Sequence, residues 1–264
     1  MNKITILGSG TSTGVPILGC KCRVCQSNDP RNKRLRTSIL LETAKKKNIL
    51  IDTSPDLRAQ LLRTQTNSID AVILTHDHAD HTHGMDELRP FSLLRPDPIL
   101  IYADKHTHDS MLNKFPYIFK PNKPIIGGGI PLLNLKLISE GPFQIENENF
   151  HFWALPHGHG YTLSVIHEKL GYIVDCREIP ENILKKFCDA KLELLIIDCL
   201  RYEPHQTHLH LDLSLEYIQK IAPKTALLTH MAHEIDYLDL MNQLQRRGIN
   251  NVFPAIDGQS FLYS

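Results

Sequence analysis

The sequence predicts an α/β fold built on large mixed sheets, on three observations. Apolar runs of mostly four or five residues, rich in Ile, Val and Leu, recur at 4–7, 38–41, 49–51, 71–74, 99–102, 150–154, 163–166, 172–174, 194–197 and 226–228. Runs this short read as buried strands. Helix-like stretches lie between some of them, at 55–63, 106–113, 180–187, 212–221 and 235–246, and Leu213, Tyr217, Ile218 and Ile221 fall on one helical stripe. Strands lead early in the chain and strand–helix alternation dominates late, the order of an α/β architecture. Two stretches, 8–36 and 116–131, show no regular pattern; loops of that length inside a compact domain are usually functional.

Composition narrows the class. At 264 residues the chain can hold one large domain or two small ones, and a hydrophobic fraction of 42% supplies a core that needs no staple to fold. Lys plus Arg and Asp plus Glu both number 29, so the formal charge is zero, whereas a general nucleic-acid binder shows a basic footprint. No apolar run reaches bilayer length, and the opening residues lack the apolar region and cleavage site of a signal peptide. The expected location is the cytoplasm. In that reducing compartment the crowding of three of six cysteines at Cys20, Cys22 and Cys25 reads as a metal site rather than a disulfide framework. Fifteen histidines, several beside Asp or another His, point the same way.

Residues 70–81 carry most of the chemistry. An apolar strand runs directly into His76, His78, Asp80 and His81. Open α/β sheets place their sites beyond the carboxyl ends of strands. Histidines two apart in extended backbone face the same way, so His76 and His78 suit one metal, and Asp80 and His81 a neighbouring one. A merely solvated polar loop does not explain four close-set ligands straight after a buried strand. The cysteines supply three thiolates in six residues, and a tetrahedral zinc site needs a fourth ligand; His233, three residues after His230, is the best candidate.

The H-x-H-x-D-H pattern resembles the signature of the metallo-β-lactamase superfamily. Further residues match that family in order: Asp52 ending an early strand, His157 on a later loop, Asp175 after a strand, and His230 after a late strand. The resemblance implies a four-layer αβ/βα sandwich spanning residues 1–264 as a single hydrolase domain, with a structural zinc loop at about 19–26. It implies that His76, His78 and His157 bind one metal, that Asp80, His81 and His230 bind the other, and that Asp175 bridges them, with Asp52 orienting a ligand histidine. His159 and Asp198 are candidates to line the same face. The catalytic cofactors would be two divalent metals, zinc or manganese, joined by one structural zinc.

The opening residues 6–16, the cysteine cluster, residues 29–34 and the paired late histidines resemble one branch of that superfamily, the phosphoribosyl cyclic phosphate phosphodiesterases. In that branch the three cysteines and the second late histidine hold a structural zinc, which assigns Cys20, Cys22, Cys25 and His233. The branch also uses a histidine as acid for the leaving group; here the match falls on His208, with His210 as runner-up, and Asp80 joins it in the catalytic set. A histidine titrating near neutral pH suits that role. Arg201, His205 and the basic run 31–36 are candidates for a terminal phosphate. The 8–14 glycine loop lacks the Lys-Ser/Thr ending of a P-loop and is expected to shape the site floor.

The expected partner is therefore a small-molecule phosphodiester, with neither nucleic acid nor a membrane; self-association to a homodimer stays open. Competing functions are a tRNA 3′-processing endonuclease, a thioester or lactone hydrolase of the same superfamily, and a non-enzymatic binding protein. The sequence shows no gripping arm or basic excess for the first, and the complete ligand set argues against the last.

Overall fold

A strand covered on both faces has no polar side to alternate with, which is why so many apolar runs in this chain are continuous. The computed structural model describes residues 1–121 and 129–264. Its strands are β1 (Asn2–Gly8), β2 (Ser38–Glu42), β3 (Asn48–Ile51), β4 (Ala71–Ile73), β5 (Ile99–Ala103), β6 (Leu133–Leu137), β7 (Gly141–Ile145), β8 (Glu148–His157), β9 (Gly160–His167), β10 (Leu170–Ile173), β11 (Leu194–Asp198), β12 (Thr225–Thr229), β13 (Val252–Pro254) and β14 (Ser260–Tyr263). Its helices are α1 (Leu57–Arg63), α2 (Ala79–Thr82), α3 (Arg89–Leu93), α4 (Lys105–Lys114), α5 (Pro116–Phe119), α6 (Glu181–Asp189), α7 (Leu211–Ile221) and α8 (Tyr237–Arg246).

The strands form two seven-stranded sheets, ordered β14-β1-β2-β3-β4-β5-β6 and β13-β12-β11-β10-β9-β8-β7. Each sheet has an antiparallel half and a parallel half, the latter β3 to β6 in one and β10 to β13 in the other. Side chains alternate across each strand. Ile49 and Ile51 of β3 face the second sheet, where they join Phe150, Phe152, Tyr172 and Ile196 in one core. Leu50 between them faces outward and packs with Leu57 and Leu61 of α1 and Met111 of α4. On the second sheet Leu195 and Ile197 face outward against α6, α7 and α8 through Phe187, Ile218 and Leu244. The result is the expected four layers: helices, sheet, sheet, helices.

The expected helices and central strands are present, with shifted ends. The last helix starts at Tyr237 because the Asp236 carboxylate accepts from the Leu238 and Asp239 amides and caps it there. The strands that no apolar run announced are β6, β7, β13 and β14, the outermost strand on each side of each sheet. The patterns of β6, β7 and β14 are half exposed, β13 has only three residues, and β7 and β13 contain Pro142 and Pro254, a residue that sheets accept at edges. Of the irregular stretch 116–131, residues Pro116–Phe119 form the short helix α5, and 122–128 lie outside the described residues. Stretch 8–36 is irregular as expected, apart from one 3-10 turn at Pro30–Asn32. It returns so closely to the sheet that a Cβ on Gly8 would lie 2.0 Å from the Arg36 carbonyl oxygen.

Phe152 is fully buried between the sheets. Phe152→Ala is expected to destabilise the fold by about 3–5 kcal/mol, read as a lowered denaturant midpoint with an unchanged slope.

Candidate metal centre

The parallel halves of both sheets end at the same rim, and the candidate residues sit there. Asp52 follows β3, the 76–81 segment follows β4, Asp175 follows β10, Asp198 ends β11 and His230 follows β12. His157 ends β8. Asp52, Asp175 and His230 have φ of 67°, 52° and 59°. That left-handed geometry costs a non-glycine residue about 1–3 kcal/mol and is found where function over-determines it; Asp and His tolerate it better than branched residues. It turns each side chain off its strand end toward a common point. The signature leaves extended backbone at His78 and enters α2, which carries Asp80 and His81 round by one helical turn.

Two donor sets result. His76, His78, His157 and Asp175 form one, and Asp80, His81, Asp175 and His230 the other, with the ligand atoms of each within 4.8 Å of one another. Asp175 belongs to both. One of its oxygens lies 3.2 Å from His81 Nε2 and 3.5 Å from His76 Nε2; the other lies 3.0 Å from His230 Nε2. Ligands sharing a tetrahedral zinc at about 2.0–2.2 Å stand about 3.3 Å apart, so these separations fit. The Nε2 atoms of His76, His81 and His230 and Oδ1 of Asp175 are buried without a hydrogen-bond partner. Each such atom costs about 1–3 kcal/mol, a cost that bound cations remove.

The imidazoles are oriented from behind. Asp52 Oδ2 accepts from His81 Nδ1 at 2.7 Å, and Oδ1 accepts from the Thr75 amide at 2.8 Å. The Thr75 hydroxyl donates to the same carboxylate at 2.8 Å and accepts from His76 Nδ1 at 3.0 Å. Asp52 thus aims two ligands, one directly and one through Thr75. His157 Nδ1 donates to the Thr207 carbonyl at 3.1 Å, which leaves Nε2 for the site. Such outer contacts fix tautomer and ring orientation. Burial holds His76 well below the usual histidine range and lowers His157 as well, keeping both neutral. Burial opposes charge on His81 too, but Asp175, Asp80 and Asp52 outweigh it and raise that pKa well above the usual range. Metal uptake there is therefore coupled to proton release.

A third grouping adds Asp198 and His208 to Asp175 and His230. Asp198 is fully buried, and its Oδ2 accepts from His208 Nδ1 at 3.2 Å. The His208 ring stacks on His230 with centroids 4.9 Å apart. Burial works against its protonation, but the Asp198 carboxylate prevails and holds His208 at about 9. His210 stands outside these groupings as the residue that precedes α7. His159 is exposed in the turn between β8 and β9 and also lies outside them.

Cys20, Cys22 and Cys25 gather around His233, whose Nδ1 lies 3.3, 3.5 and 3.6 Å from the three sulfurs. A tetrahedral zinc with Zn–S of about 2.3 Å and Zn–N of about 2.0–2.1 Å sets S···N near about 3.6 Å. The Cys25 amide donates to Cys22 Sγ and is the largest influence lowering that thiol to about 6, while burial pushes Cys25 up to about 11.

Several expected phosphate ligands are engaged elsewhere. Arg201 donates to the carbonyls of Glu203 and Pro204, buried Arg34 to those of Ala232 and Ile235, and Arg36 to Asp56. Arg31 pairs with Asp29, and Lys33 donates to the Cys25 carbonyl. The amides of Ser9, Gly10, Thr11 and Gly14 are likewise taken by protein acceptors, and the Thr11 bond to Met231 packs the glycine loop beside His230.

Residues 47–231 match the beta-lactamase superfamily domain. The chain belongs to the metallo-β-lactamase superfamily. The octanoyltransferase of Porphyromonas gingivalis is 37% identical over 258 residues, covering 96% of this chain and 51% of that protein. The chain thus spans about half the length of that curated relative. Among solved structures, a diphosphatase from the PhnP family is 31% identical, with a TM-score of 0.90 over 100% of this chain and 98% of its own. Zn(2+)-bound PqqB from Methylobacterium extorquens shares the fold at 18% identity, with a TM-score of 0.78 over 99% of this chain and 100% of its own. The described residues form a domain of this fold with a His/Asp dinuclear-type site and a separate Cys3His cluster. No helix among them is long and apolar enough to cross a membrane.

Asp52→Asn is expected to lower metal affinity at the His/Asp site by about 10–100-fold, measured by competition with a chromogenic chelator. Cys25→Ser should lower the zinc content by one ion per chain and the Tm with it, read by elemental analysis and thermal melting. An unchanged zinc content would contradict the cluster's role.

Proposed function

We propose that the chain is a dinuclear metal-dependent phosphodiesterase acting on small cyclic phosphodiesters of phosphoribosyl type. In this reading His76, His78 and His157 hold one cation, Asp80, His81 and His230 hold the second, and Asp175 spans both. The cations are zinc or manganese, and a structural zinc sits in the Cys3His cluster. When bound, such a pair acidifies water and acts as a Lewis acid on a phosphoryl oxygen.

The observation that carries the reading is His208. Asp198 holds its Nδ1, which leaves Nε2 without a hydrogen-bond partner among the described residues, and the ring stands against His230 and 5.0 Å from His157, centroid to centroid. As the phosphorus–oxygen bond breaks, His208 gives its Nε2 proton to the departing alkoxide. Its pKa, held at about 9, keeps that proton available at neutral pH. A thiolate, whose thiol ordinarily titrates near about 8.5, leaves without such help, so the acid favours an oxygen leaving group over a thioester. Equal numbers of basic and acidic residues, 29 each, supply no overall charge for gripping a long nucleic acid.

A second reading is hydrolysis of a phosphate–phosphate link, favoured by the diphosphatase among the similar structures. The same acid protonates a departing phosphate. Turnover of a ribosyl 1,2-cyclic phosphate and a nucleoside diphosphate ester, with zinc or manganese supplied, distinguishes the two.

Chelation should abolish turnover, with recovery on adding metal back. His208→Asn should lower kcat by about 10²–10⁴ for an alkoxide leaving group and far less for an acidic phenol such as p-nitrophenol. An equal loss for both would remove the acid role. Phosphodiester turnover surviving His230→Ala would overturn the metal reading itself.

A further inference from the structure

The loop from β11 to α7 holds two imidazoles that the mechanism above does not use, His210 directly before α7 and His205 nearer the tip. The loop is closed by hydrogen bonds from the Leu200 amide to Leu209 O at 2.9 Å and from the Leu211 amide to Arg201 O at 3.0 Å. Arg201 braces it from within through the carbonyls of Glu203 and Pro204. Thr207 at its tip carries the carbonyl that orients His157, and a Cβ on Gly158 would lie 4.0 Å from the Thr207 methyl. The loop therefore leans over the hairpin that bears a metal-site histidine.

His205 sits in this rigid frame with its ring 5.3 Å from that of His208, centroid to centroid. Its Nδ1 accepts from the Thr207 amide at 3.3 Å. A ring nitrogen that accepts from an amide is unprotonated, so the neutral imidazole carries its proton on Nε2. The outer nitrogen is thus a fixed donor, and no protein acceptor is recorded for it among the described residues. Exposure rises outward along the row: the side chain of His230 is 1% exposed, that of His208 13%, and His205 is half-buried.

We propose that His205 is a specificity-determining residue that donates from Nε2 to an oxygen of the leaving group. The proton donor and this second donor stand next to each other. A leaving group protonated at His208 would bring the atoms beyond its bridging oxygen to His205, and an N–H there selects for a further oxygen. Two sources share that chemistry, a ribosyl hydroxyl and a second phosphate. The inference rests on the phosphodiesterase reading and deepens it. The plainer role, a turn-forming histidine that only satisfies the Thr207 amide, predicts equal effects on every substrate.

The test compares unaltered, His205→Ala and His205→Gln holoenzymes on three substrates: a ribosyl 1,2-cyclic phosphate, a nucleoside diphosphate ester and bis-p-nitrophenyl phosphate. His205→Ala should raise KM for an oxygen-rich substrate, relative to bis-p-nitrophenyl phosphate, on the order of ten-fold, with little change in the ratio of kcat values. His205→Gln, which keeps an N–H donor, should recover most of that discrimination. A response in the cyclic phosphate arm identifies a hydroxyl as the partner; one in the diphosphate arm identifies a phosphate. A uniform loss on all three substrates, or no change on any, overturns the proposal. So does unaltered enzyme that turns over only bis-p-nitrophenyl phosphate, an outcome that leaves phosphodiester hydrolysis standing but not the phosphoribosyl substrate class. Failure to hydrolyse any of the three sinks that reading as well.

Discussion

Asp175 is a buried carboxylate shared between two sets of imidazoles, and the surrounding structure is organised by what that arrangement demands. It is 1% exposed, and Asp52 and Asp198 behind it are fully buried. Removing ions from water is costly unless they are closely paired and hydrogen-bonded. Here the compensation is mutual. His230 and His81 hold Asp175 well below the usual carboxylate range against the effect of burial, Asp52 backs His81, and Asp198 backs His208. The donors left over point inward to the places where cations fit.

Rigidity follows from the same demand. Apart from His157, which ends antiparallel β8, the strand-end site residues follow parallel strands whose both faces are packed, so their backbone has little freedom to drift. The left-handed turns at Asp52, Asp175 and His230 place the side chains over the rim between the sheets. His230 is tied twice more: the next residue, Met231, exchanges backbone hydrogen bonds with Ser9 and Thr11, and His233 is drawn into the cysteine cluster. Buried Arg34, reaching Ala232 and Ile235, joins the same knot. The long first loop is thus a clasp on the segment that bears His230, and Arg34 serves that clasp.

The opposite side of the site is more open. His208 and His205 lie on a loop braced by Arg201, and their exposure increases away from the metal sets. Chemistry that must be dry is placed deep, and contacts that must meet a variable part of the substrate are placed at the rim. A guanidinium spent on carbonyls holds the loop shape in which the two imidazoles stand side by side.

Much of this was legible in the chain itself. Central strands such as β3 and β11 announce themselves because burial on both faces demands unbroken apolar residues, and the ligand types cluster because they must follow strand ends directly. The edge strands β6, β7, β13 and β14 were not legible, since half-exposed backbone pairing tolerates Pro, Gly and polar side chains. Nor does spacing say which nitrogen of each histidine faces inward; Thr75, Thr207 and Asp52 decide that from other segments. That Asp198 reaches His208, and that Arg34 and Arg201 reach backbone carbonyls, is likewise set by segments brought together only on folding. Local pattern determines which residues must be buried and which chemistry is present. The partner of each polar atom is set by segments far away in sequence, so only the tertiary structure could decide it.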